Sequence, residues 1–227
     1  MTAAAPALLS ETISIPAQRR PMDLVTTPRR ASAAYAVLNA VAALLILLLA
    51  APVLIAVAIA IKLDSGPIFF RQTRVGHDGR EFTMLKFRSM VVDAEAKLAA
   101  LMEQNEGAGP LFKMTRDPRI SRVGQIIRKF SIDELPQLFH VVGGTMALVG
   151  PRPALPREVE LYCPMAKRRL EAKPGLTGLW QVSGRSNLGW DESIRLDAIY
   201  VATWTPVLDV KILVRTVGAV LRGGGAY

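Results

Sequence analysis

The sequence predicts an α+β protein attached to a membrane, in which an apolar N-terminal helix precedes a mostly helical domain with a small β-hairpin. No charged residue occurs from Ala31 to Ile61, and Val41 to Ala60 is almost wholly aliphatic, long enough to cross a bilayer. Two short segments of strand character flank the turn-forming residues 76–79. Apolar residues recur at helical spacing in several later segments. We therefore divide the chain into a tail (1–30), a membrane helix (31–62) and a domain (63–227).

The composition excludes a disordered chain and a disulfide-based fold. Hydrophobic residues make up 51% of the 227 residues, which is enough for a core. Twenty-eight Lys and Arg against nineteen Asp and Glu give a net charge of +9, which favours an anionic partner such as a phosphorylated ligand, nucleic acid or acidic lipid. Cys163, His77 and His140 are isolated in sequence, so we interpret Cys163 as a packing residue and each histidine as a structural or surface residue.

The N-terminal region combines a basic tail with the membrane helix. Residues 1–30 lack apolar periodicity, which predicts a mobile tail. Pro52 removes a hydrogen bond in the middle of the helix and predicts a bend or break there. Basic residues flank both ends, so the positive-inside rule gives no direction, and a re-entrant helix with both ends on the cytoplasmic side satisfies the charges. The alternatives are a full span, a buried core helix and a signal peptide cleaved near Ala60.

A hairpin of Ile68 to Val75 and Glu81 to Phe87 follows the apolar segment. Lys86 and Arg88 share one face of an extended strand, where they could hold a diphosphate or simply face solvent. We expect the next segment, Val91 to Gln104, to form an amphipathic helix with its Leu and Met residues in the core. Asn105 to Pro110 is predicted to be a flexible loop that could cover a ligand.

Two more helices are predicted in the second half of the chain. In Arg157 to Lys173, three cations could face phospholipid headgroups or solvent: Lys167, Arg168 and Arg169. Near the C-terminus one face carries an apolar stripe: Val210, Leu213, Val214, Val217 and Leu221. Core packing and an interfacial membrane helix explain this stripe equally well.

The greatest concentration of chemically active residues surrounds Asp133 and Glu134. Pro136 is tolerated in a first helical turn, which favours a helix start near Asp133, whereas Ser131 and Glu134 have capping-box spacing. Either start places both acids in the first turn, where free amide hydrogens favour an ionised carboxylate, so Asp133 should be charged at neutral pH. Such an acid can cap the helix, bind a metal or attack phosphorus, and an isolated Asp-Glu pair more often only caps.

Two loops supply candidate anion-binding residues. Arg152 lies between Pro151 and Pro153, which stiffen the backbone and preorganise the guanidinium for a phosphate, although an ordinary loop arginine would look the same. The segment from Lys173 to Arg185 alternates turn formers with apolar residues. We expect exposed amides there, at which phosphate or nucleoside could bind together with these two cations.

The sequence resembles the bacterial sugar transferase family, the monotopic phosphoglycosyl transferases, over about Ala31 to Tyr227. The resemblance rests on six motifs in family order: Arg74-Val-Gly76, Lys86-Phe-Arg-Ser-Met90, Asp117-Pro-Arg119, Ser131-Ile-Asp-Glu-Leu-Pro-Gln-Leu138, Gly150-Pro-Arg-Pro153 and Lys173-Pro-Gly-Leu-Thr-Gly-Leu-Trp-Gln181. It implies transfer of a hexose 1-phosphate from a UDP-sugar to undecaprenyl phosphate, with release of UMP, to initiate exopolysaccharide synthesis. The compact form resembles the galactose- or glucose-phosphate transferases.

The resemblance also implies roles for individual residues. Asp133 is the implied nucleophile, which carries the phosphosugar in a ping-pong reaction, and Glu134 is its partner at a Mg²⁺ site. The implied phosphate-binding cations are Arg128, Arg152, Lys86 and Arg88. Pro52 corresponds to the break of a re-entrant helix on the cytoplasmic face of the bacterial inner membrane. Membrane lipids are implied partners, nucleic acid is not, and a homo-oligomer is left open.

Two departures from the family pattern concern the helix break and one loop. Ala51 replaces a common Ser before Pro52, so no hydroxyl helps to break the helix there. Gly144-Thr-Met-Ala147 replaces Gly-Asp-Met-Ser, which removes two polar side chains. The rival functions are a non-enzymatic binder of acidic lipid or nucleic acid, and a lipid diphosphate phosphohydrolase that uses the same acids to direct water. An aromatic content of 6% and the lack of an RNA-reading motif count against nucleic-acid binding.

Overall fold

The computed structural model describes residues 32–64, 66–106, 112, 114, 116–184 and 188–221. Within these residues the protein is mostly helical and contains two small two-stranded sheets. This confirms the predicted mixture of many helices with little sheet. The basic tail 1–30, much of the loop after Asn105, and Arg185 lie outside the described residues.

Helix α1 (Ala33–Leu63) is 31 residues long and begins where the Ser32 hydroxyl accepts a hydrogen bond from the Tyr35 amide. Within the described part of the chain it is the one helix long and apolar enough to cross a membrane. Only 11% of its most apolar window is buried, so the alternative of a buried core helix is wrong. The helix continues through Pro52 without ending, so the structure shows no complete break there. The re-entrant course stays a prediction.

Both halves of α1 are bonded to the following domain. Near its start, the Tyr35 hydroxyl donates to Asp209 Oδ2 at 2.6 Å and the Leu148 amide donates to Asn39 Oδ1 at 3.0 Å. At its other end, Arg88 Nη2 donates to the Ile61 carbonyl at 3.2 Å. The buried side chains Ala43 and Leu47 belong to the main core cluster of the protein, and Ile61 belongs to a smaller one. The helix therefore lies along the domain over most of its length.

The predicted hairpin is present as β1 (Phe69–Val75) and β2 (Glu81–Phe87), which pair antiparallel. Its turn contains Asp78 and Gly79, both at positive φ. Because directly opposed residues share a face, the pairs Phe70 with Lys86, Gln72 with Met84 and Arg74 with Phe82 define one face. This face carries Gln72, Arg74 and Lys86.

A second, parallel sheet joins two motif segments that the sequence treats as independent loops. It consists of β3 (Ala147–Val149) and β4 (Gly175–Thr177). A Cβ on Gly175 would lie 2.0 Å from the Gly150 amide nitrogen, so the two backbones meet at a distance that only glycine permits. The Gly175 amide donates to the Pro151 carbonyl at 2.9 Å. The expectation that this segment exposes its amides for phosphate is therefore wrong at Gly175.

The remaining helices are short except for the last two. Their bounds are α2 (Ala94–Leu101), α3 (Arg122–Lys129), α4 (Leu138–Val142), α5 (Pro156–Glu160), α6 (Pro164–Lys167), α7 (Leu179–Ser183), α8 (Trp190–Thr203) and α9 (Pro206–Leu221). Four 3₁₀ turns occur among the described residues: His77–Gly79, Met102–Gln104, Ile132–Gln137 and Arg168–Glu171.

Two expectations about these helices need correction. The segment from Arg157 to Lys173 is not one helix, because Pro164 lacks an amide hydrogen and begins a new helix after a break. Within it Arg169 is only 6% exposed, so it faces neither headgroups nor solvent. Met102 is 52% exposed and lies outside the core predicted for the Val91 to Gln104 helix.

Helix α9 turns most of its apolar stripe outward. Ile212 and Asp209 are buried, and Leu213 packs against the main core cluster. The other apolar residues of the outward stripe are between 59% and 76% exposed: Val207, Val210, Val214, Val217 and Leu221. The predicted alternative of core packing is therefore wrong for the exposed residues of the stripe and correct for Leu213.

Candidate active site

Asp133 and Glu134 lie in the 3₁₀ turn Ile132–Gln137, between α3 and α4 and against strand β2. Both acids are in the first turn, as predicted, although the turn begins at Ile132 and is not α-helical. Ser131 before it has φ 54° and its side chain forms no capping bond, so the capping box is not formed. A left-handed conformation is unfavourable for a residue other than Gly, Asn or Asp. The backbone is therefore strained two residues before Asp133.

Strand β2 brings a lysine to the acidic pair. Lys86 Nζ lies 2.6 Å from Glu134 Oε1, and both side chains are partly exposed, at 24% and 38%. The pair joins two motifs that are 48 residues apart in sequence. The structure thus places Lys86 next to the acids, where it can contact an anion that they also contact.

The carboxyl group of Asp133 is half-buried and lies near one like charge and two opposite charges. Burial, followed by the nearby charge of Glu134, raises its pKa to about 6, while Lys86 and Arg128 act in the opposite direction. A helix start was expected to favour the ionised form of Asp133. A short 3₁₀ turn has only a small dipole, so the cost of removing the carboxylate from water exceeds the stabilisation that this dipole gives. Because pH 7 lies above this pKa, the carboxyl group is mostly ionised at neutral pH, which agrees with the predicted charge.

Arg128 is close enough to act on two carboxylates. Its charge contributes to the pKa values of Asp133 and Asp117. Although burial raises the pKa of Asp117, hydrogen bonds from Arg119 lower it overall. Arg119 Nη2 lies 2.6 Å from Asp117 Oδ2, and both side chains are almost fully buried. The Asp117-Pro-Arg119 motif therefore forms a buried ion pair, and the charge of Arg128 acts on both this pair and Asp133.

Arg152 lies in the loop between β3 and α5 and is half-buried. Arg74 connects this loop to the acidic pair, because both Arg152 and Glu134 influence its pKa. Burial, and then the charge of Arg152, lowers the pKa of Arg74 to about 10. The sequence analysis did not choose Arg74 as a site residue. Its position on the same hairpin face as Lys86 is the signal that would have identified it.

The other predicted site residues are Arg88, Lys173 and Arg185. Arg88 follows the end of β2, is buried, and donates to the Ile61 carbonyl at the end of α1. The Arg88 amide donates to the Ile68 carbonyl at 2.9 Å, so the backbone pairing continues one residue beyond β2. Lys173 is exposed near Gly144, at the end of α4 farthest from Asp133, and lines a mainly apolar cavity of about 440 Å³ beside α1. Arg185 lies outside the described residues.

The acidic pair has the donors that Mg²⁺ prefers, but few of them. Among the described residues no group of three or more His, Cys, Asp or Glu side chains is arranged to hold a metal. Magnesium is commonly bound by one or two carboxylates, with water and substrate phosphates as its remaining ligands. Burial and the charge of Glu134 disfavour the ionised form of Asp133, and Lys86 and Arg128 offset this only in part, so a cation beside the pair would be favourable. These two carboxylates therefore fit such a site.

Comparison with known proteins places these motifs in a family. A family model described as "Bacterial sugar transferase" matches residues 30–223. The chain is 44% identical to the undecaprenyl-phosphate galactose phosphotransferase of Salmonella typhimurium over 82% of its own length, but spans only 40% of that relative. It is 38% identical to the exopolysaccharide production protein ExoY of Rhizobium meliloti, covering 83% of this chain and 86% of that one.

A third relative supports the same assignment. The UDP-glucose:undecaprenyl-phosphate glucose-1-phosphate transferase of Caulobacter vibrioides is 42% identical over 84% of this chain and 71% of its own. The matches cover the hairpin, the acidic turn and the arginine loop. The chain therefore belongs to the bacterial sugar transferase family.

Proposed function

We propose that the protein transfers a hexose 1-phosphate from a UDP-sugar to undecaprenyl phosphate and releases UMP, as an initiating step of exopolysaccharide synthesis. The relatives support the proposal by their names, which include a galactose phosphotransferase and a glucose-1-phosphate transferase that act on undecaprenyl phosphate. The observation that carries it is the acidic turn, where a partly desolvated Asp133 lies beside Glu134, Lys86 and Arg128. This is the equipment expected for phosphoryl transfer through a carboxylate nucleophile.

The reaction proceeds in two displacements at one phosphorus atom. In the first, an oxygen of ionised Asp133 attacks the phosphorus that carries the sugar, and the bond from this phosphorus to the oxygen bridging the two phosphates breaks. UMP leaves with that electron pair, and the phosphosugar remains on Asp133. In the second, an oxygen of the acceptor phosphate attacks the same phosphorus. The bond to Asp133 breaks, which yields the lipid diphosphate sugar and restores the carboxylate.

The surrounding residues hold charge in place during both displacements. Lys86 and Arg128 oppose the repulsion between the acids and the incoming phosphates, and Arg152 binds the donor diphosphate as a fork. Asp133 and Glu134 would hold Mg²⁺, which neutralises diphosphate charge when bound. Arg88, although buried, stays a proposed phosphate-binding residue, and Lys173 and Arg185 stay proposed nucleotide-binding residues.

The membrane helix is proposed to be re-entrant, with both ends on the cytoplasmic face of the inner membrane. A helix of 31 residues is roughly 45 Å long. Because Tyr35 and Ile61 bond to the same domain, a perpendicular span would carry bonded parts of that domain through the bilayer. Entry and return on one face avoids this, and it places the exposed apolar stripe of α9 at the interface as an amphipathic helix.

The test is formation of the covalent intermediate. Purified protein is incubated with Mg²⁺ and a panel of UDP-sugars without lipid, then digested and analysed by mass spectrometry. We expect UMP release and a hexose phosphate on the peptide that contains Asp133, followed by its transfer when undecaprenyl phosphate is added. Asp133→Asn should abolish both.

The controls separate the rival functions. Full activity of Asp133→Asn would rule out the assigned nucleophile. Release of inorganic phosphate from a lipid diphosphate, without sugar transfer, would support a phosphohydrolase instead. Binding of lipid or nucleic acid without any product would support a non-enzymatic protein.

A further inference from the structure

The loop that carries Arg152 has its backbone fixed at both ends by sheet hydrogen bonds. At the start, the Gly150 amide donates to the Thr177 carbonyl at 2.9 Å, and the Pro151 carbonyl accepts from Gly175. At the end, the Ala154 carbonyl accepts from Val75 at 2.8 Å. The two prolines of the loop have no amide hydrogen to satisfy. Between these bonds lie the polar backbone groups of Arg152 and Pro153.

Buried charged side chains bind these remaining groups. Arg169 Nη2 donates to the Arg152 carbonyl at 3.3 Å, and the Arg152 amide donates to Asp197 Oδ2 at 3.4 Å. Arg74 Nη1 donates to the Pro153 carbonyl at 3.0 Å. Asp197 is 0% exposed, and Arg74 and Arg169 are each 6% exposed. We name these three residues the loop clamp.

The loop clamp is also held together internally. Arg169 contacts Asp197 Oδ2 through both Nε and Nη2, at 2.9 and 2.8 Å, and Nη1 donates to the Tyr162 hydroxyl at 2.6 Å. Burying an arginine and an aspartate removes both from water, and their attraction seldom exceeds that loss by much. Stability alone is therefore a weak reason to bury three charges at the backbone of one loop.

We propose that Arg74, Arg169 and Asp197 are positioning residues that fix the backbone of Arg152 so that its guanidinium is presented in one orientation to the donor diphosphate. The proposal rests on the proposed function. The two prolines fix φ on either side of Arg152, and the loop clamp fixes both peptide groups that Arg152 contributes. The side chain of Arg152 is then the part of this residue that can bind a ligand, and its guanidinium is preorganised for bidentate phosphate binding.

A double-mutant cycle tests whether Arg169 acts through Arg152. Arg169→Lys keeps the charge but cannot reach Asp197, Tyr162 and the Arg152 carbonyl together. We expect it to lower kcat/KM for the UDP-sugar by roughly tenfold to hundredfold. In an Arg152→Gln background the same substitution should change kcat/KM by less than about twofold. Equal losses in both backgrounds would show a merely structural role and overturn the proposal.

Two further variants keep the test decisive if Arg169→Lys folds poorly. Tyr162→Phe removes a single contact of Arg169 without burying an unpaired charge, and it should give a smaller loss that also disappears in the Arg152→Gln background. Asp209→Asn is the matched control, because Asp209 is a buried carboxylate whose described side-chain partners are Tyr35, Tyr200 and Trp204, outside the loop. Its effect should be the same in both backgrounds.

Hydrogen exchange separates this proposal from the proposed function. If wild-type protein releases no UMP from any UDP-sugar, the proposed function fails, but exchange of the Arg152 amide still reports on the loop clamp. We expect Arg169→Lys and Tyr162→Phe to accelerate exchange of this amide, whereas Asp209→Asn leaves it unchanged. Unaltered exchange in the first two variants would overturn the clamp regardless of the activity result.

Discussion

The carboxyl group of Asp133 is controlled at short range by neighbours from two directions. Burial and Glu134 raise its pKa to about 6, and Lys86 and Arg128 restrain the rise. With this pKa, Asp133, the proposed nucleophile, is mostly ionised at neutral pH and less strongly hydrated than a surface carboxylate. The transferase activity of the protein should therefore fall as the pH decreases through the pKa of Asp133.

Lys86→Gln should move this fall to higher pH. Lys86 favours the ionised form of Asp133, so its removal should raise the pKa of Asp133 further. The midpoint of the acid limb of kcat/KM should then move to higher pH by about one unit. The measurement is kcat/KM for the UDP-sugar across the acid and neutral range. Arg71→Gln is the control, because Arg71 is exposed on the opposite face of the same hairpin. A limb that moves equally in both variants would contradict the assignment.

Ser131 offers a test of backbone strain beside Asp133. Ser131→Val places a β-branched residue at φ 54°, and it should lower the free energy of unfolding by about 1–2 kcal/mol and reduce turnover by displacing the acidic turn. Asparagine tolerates this conformation, so Ser131→Asn should retain both the stability and the turnover of the wild-type protein. Denaturant unfolding in detergent measures the difference. Ser183→Val, in ordinary helical backbone, is the matched control, and an equal loss there would exclude strain as the cause.

Among the elements, α1 and the hairpin show which structures a sequence can predict. A long apolar run and alternation around a glycine turn are local signals, so both elements were predicted to within about two residues. The parallel sheet was missed because its strands have only three residues each and come from distant segments. The helix from Arg157 to Lys173 was predicted as one element because periodicity does not register the stop at Pro164.

The same distinction applies to the candidate site. The motif residues Asp133, Glu134 and Lys86 could be chosen from residue type and neighbours, and the structure places them together. The partnership of Arg169 with Asp197 spans 28 residues and depends on how α8 packs, so no local pattern indicates it. The burial of Arg88 against the end of α1 depends on how that helix packs, so strand alternation does not indicate it either.

The course of α1 can be tested by cysteine labelling. With Cys163→Ser as background, Ser32→Cys and Lys62→Cys place single thiols at the exposed ends of the helix. A re-entrant helix predicts that an impermeant maleimide added to intact spheroplasts reaches neither thiol, and that it reaches both after permeabilisation. Labelling of one end alone in intact spheroplasts would establish a full span.

At the scale of the whole molecule, the membrane helix and the domain are one folding unit. Ala43 and Leu47 of α1 pack in the same cluster as Leu138, Val141 and Ile212. The main core cluster therefore contains residues of both the apolar helix and the segment that follows it.

Leu47→Ala should destabilise the entire protein, whereas Leu49→Ala should not. Leu47 is 7% exposed in the core, and its truncation should cost about 2–4 kcal/mol and lower Tm by several degrees. Leu49 is 83% exposed on the other side of the same helix, so its truncation leaves no cavity. Thermal unfolding of both variants in one detergent makes the comparison. Equal Tm values would show that α1 is an independent anchor.

Since α1 presents one side to the core and the other to the outside, acyl-chain length becomes a variable of protein stability. Because the proposed re-entrant helix occupies only part of the bilayer thickness, acyl chains too short or too long for its depth would displace it relative to the domain, and the strain would reach the Tyr35 and Ile61 contacts. Reconstitution into lipids of graded chain length should therefore give a maximum of thermal stability at one thickness.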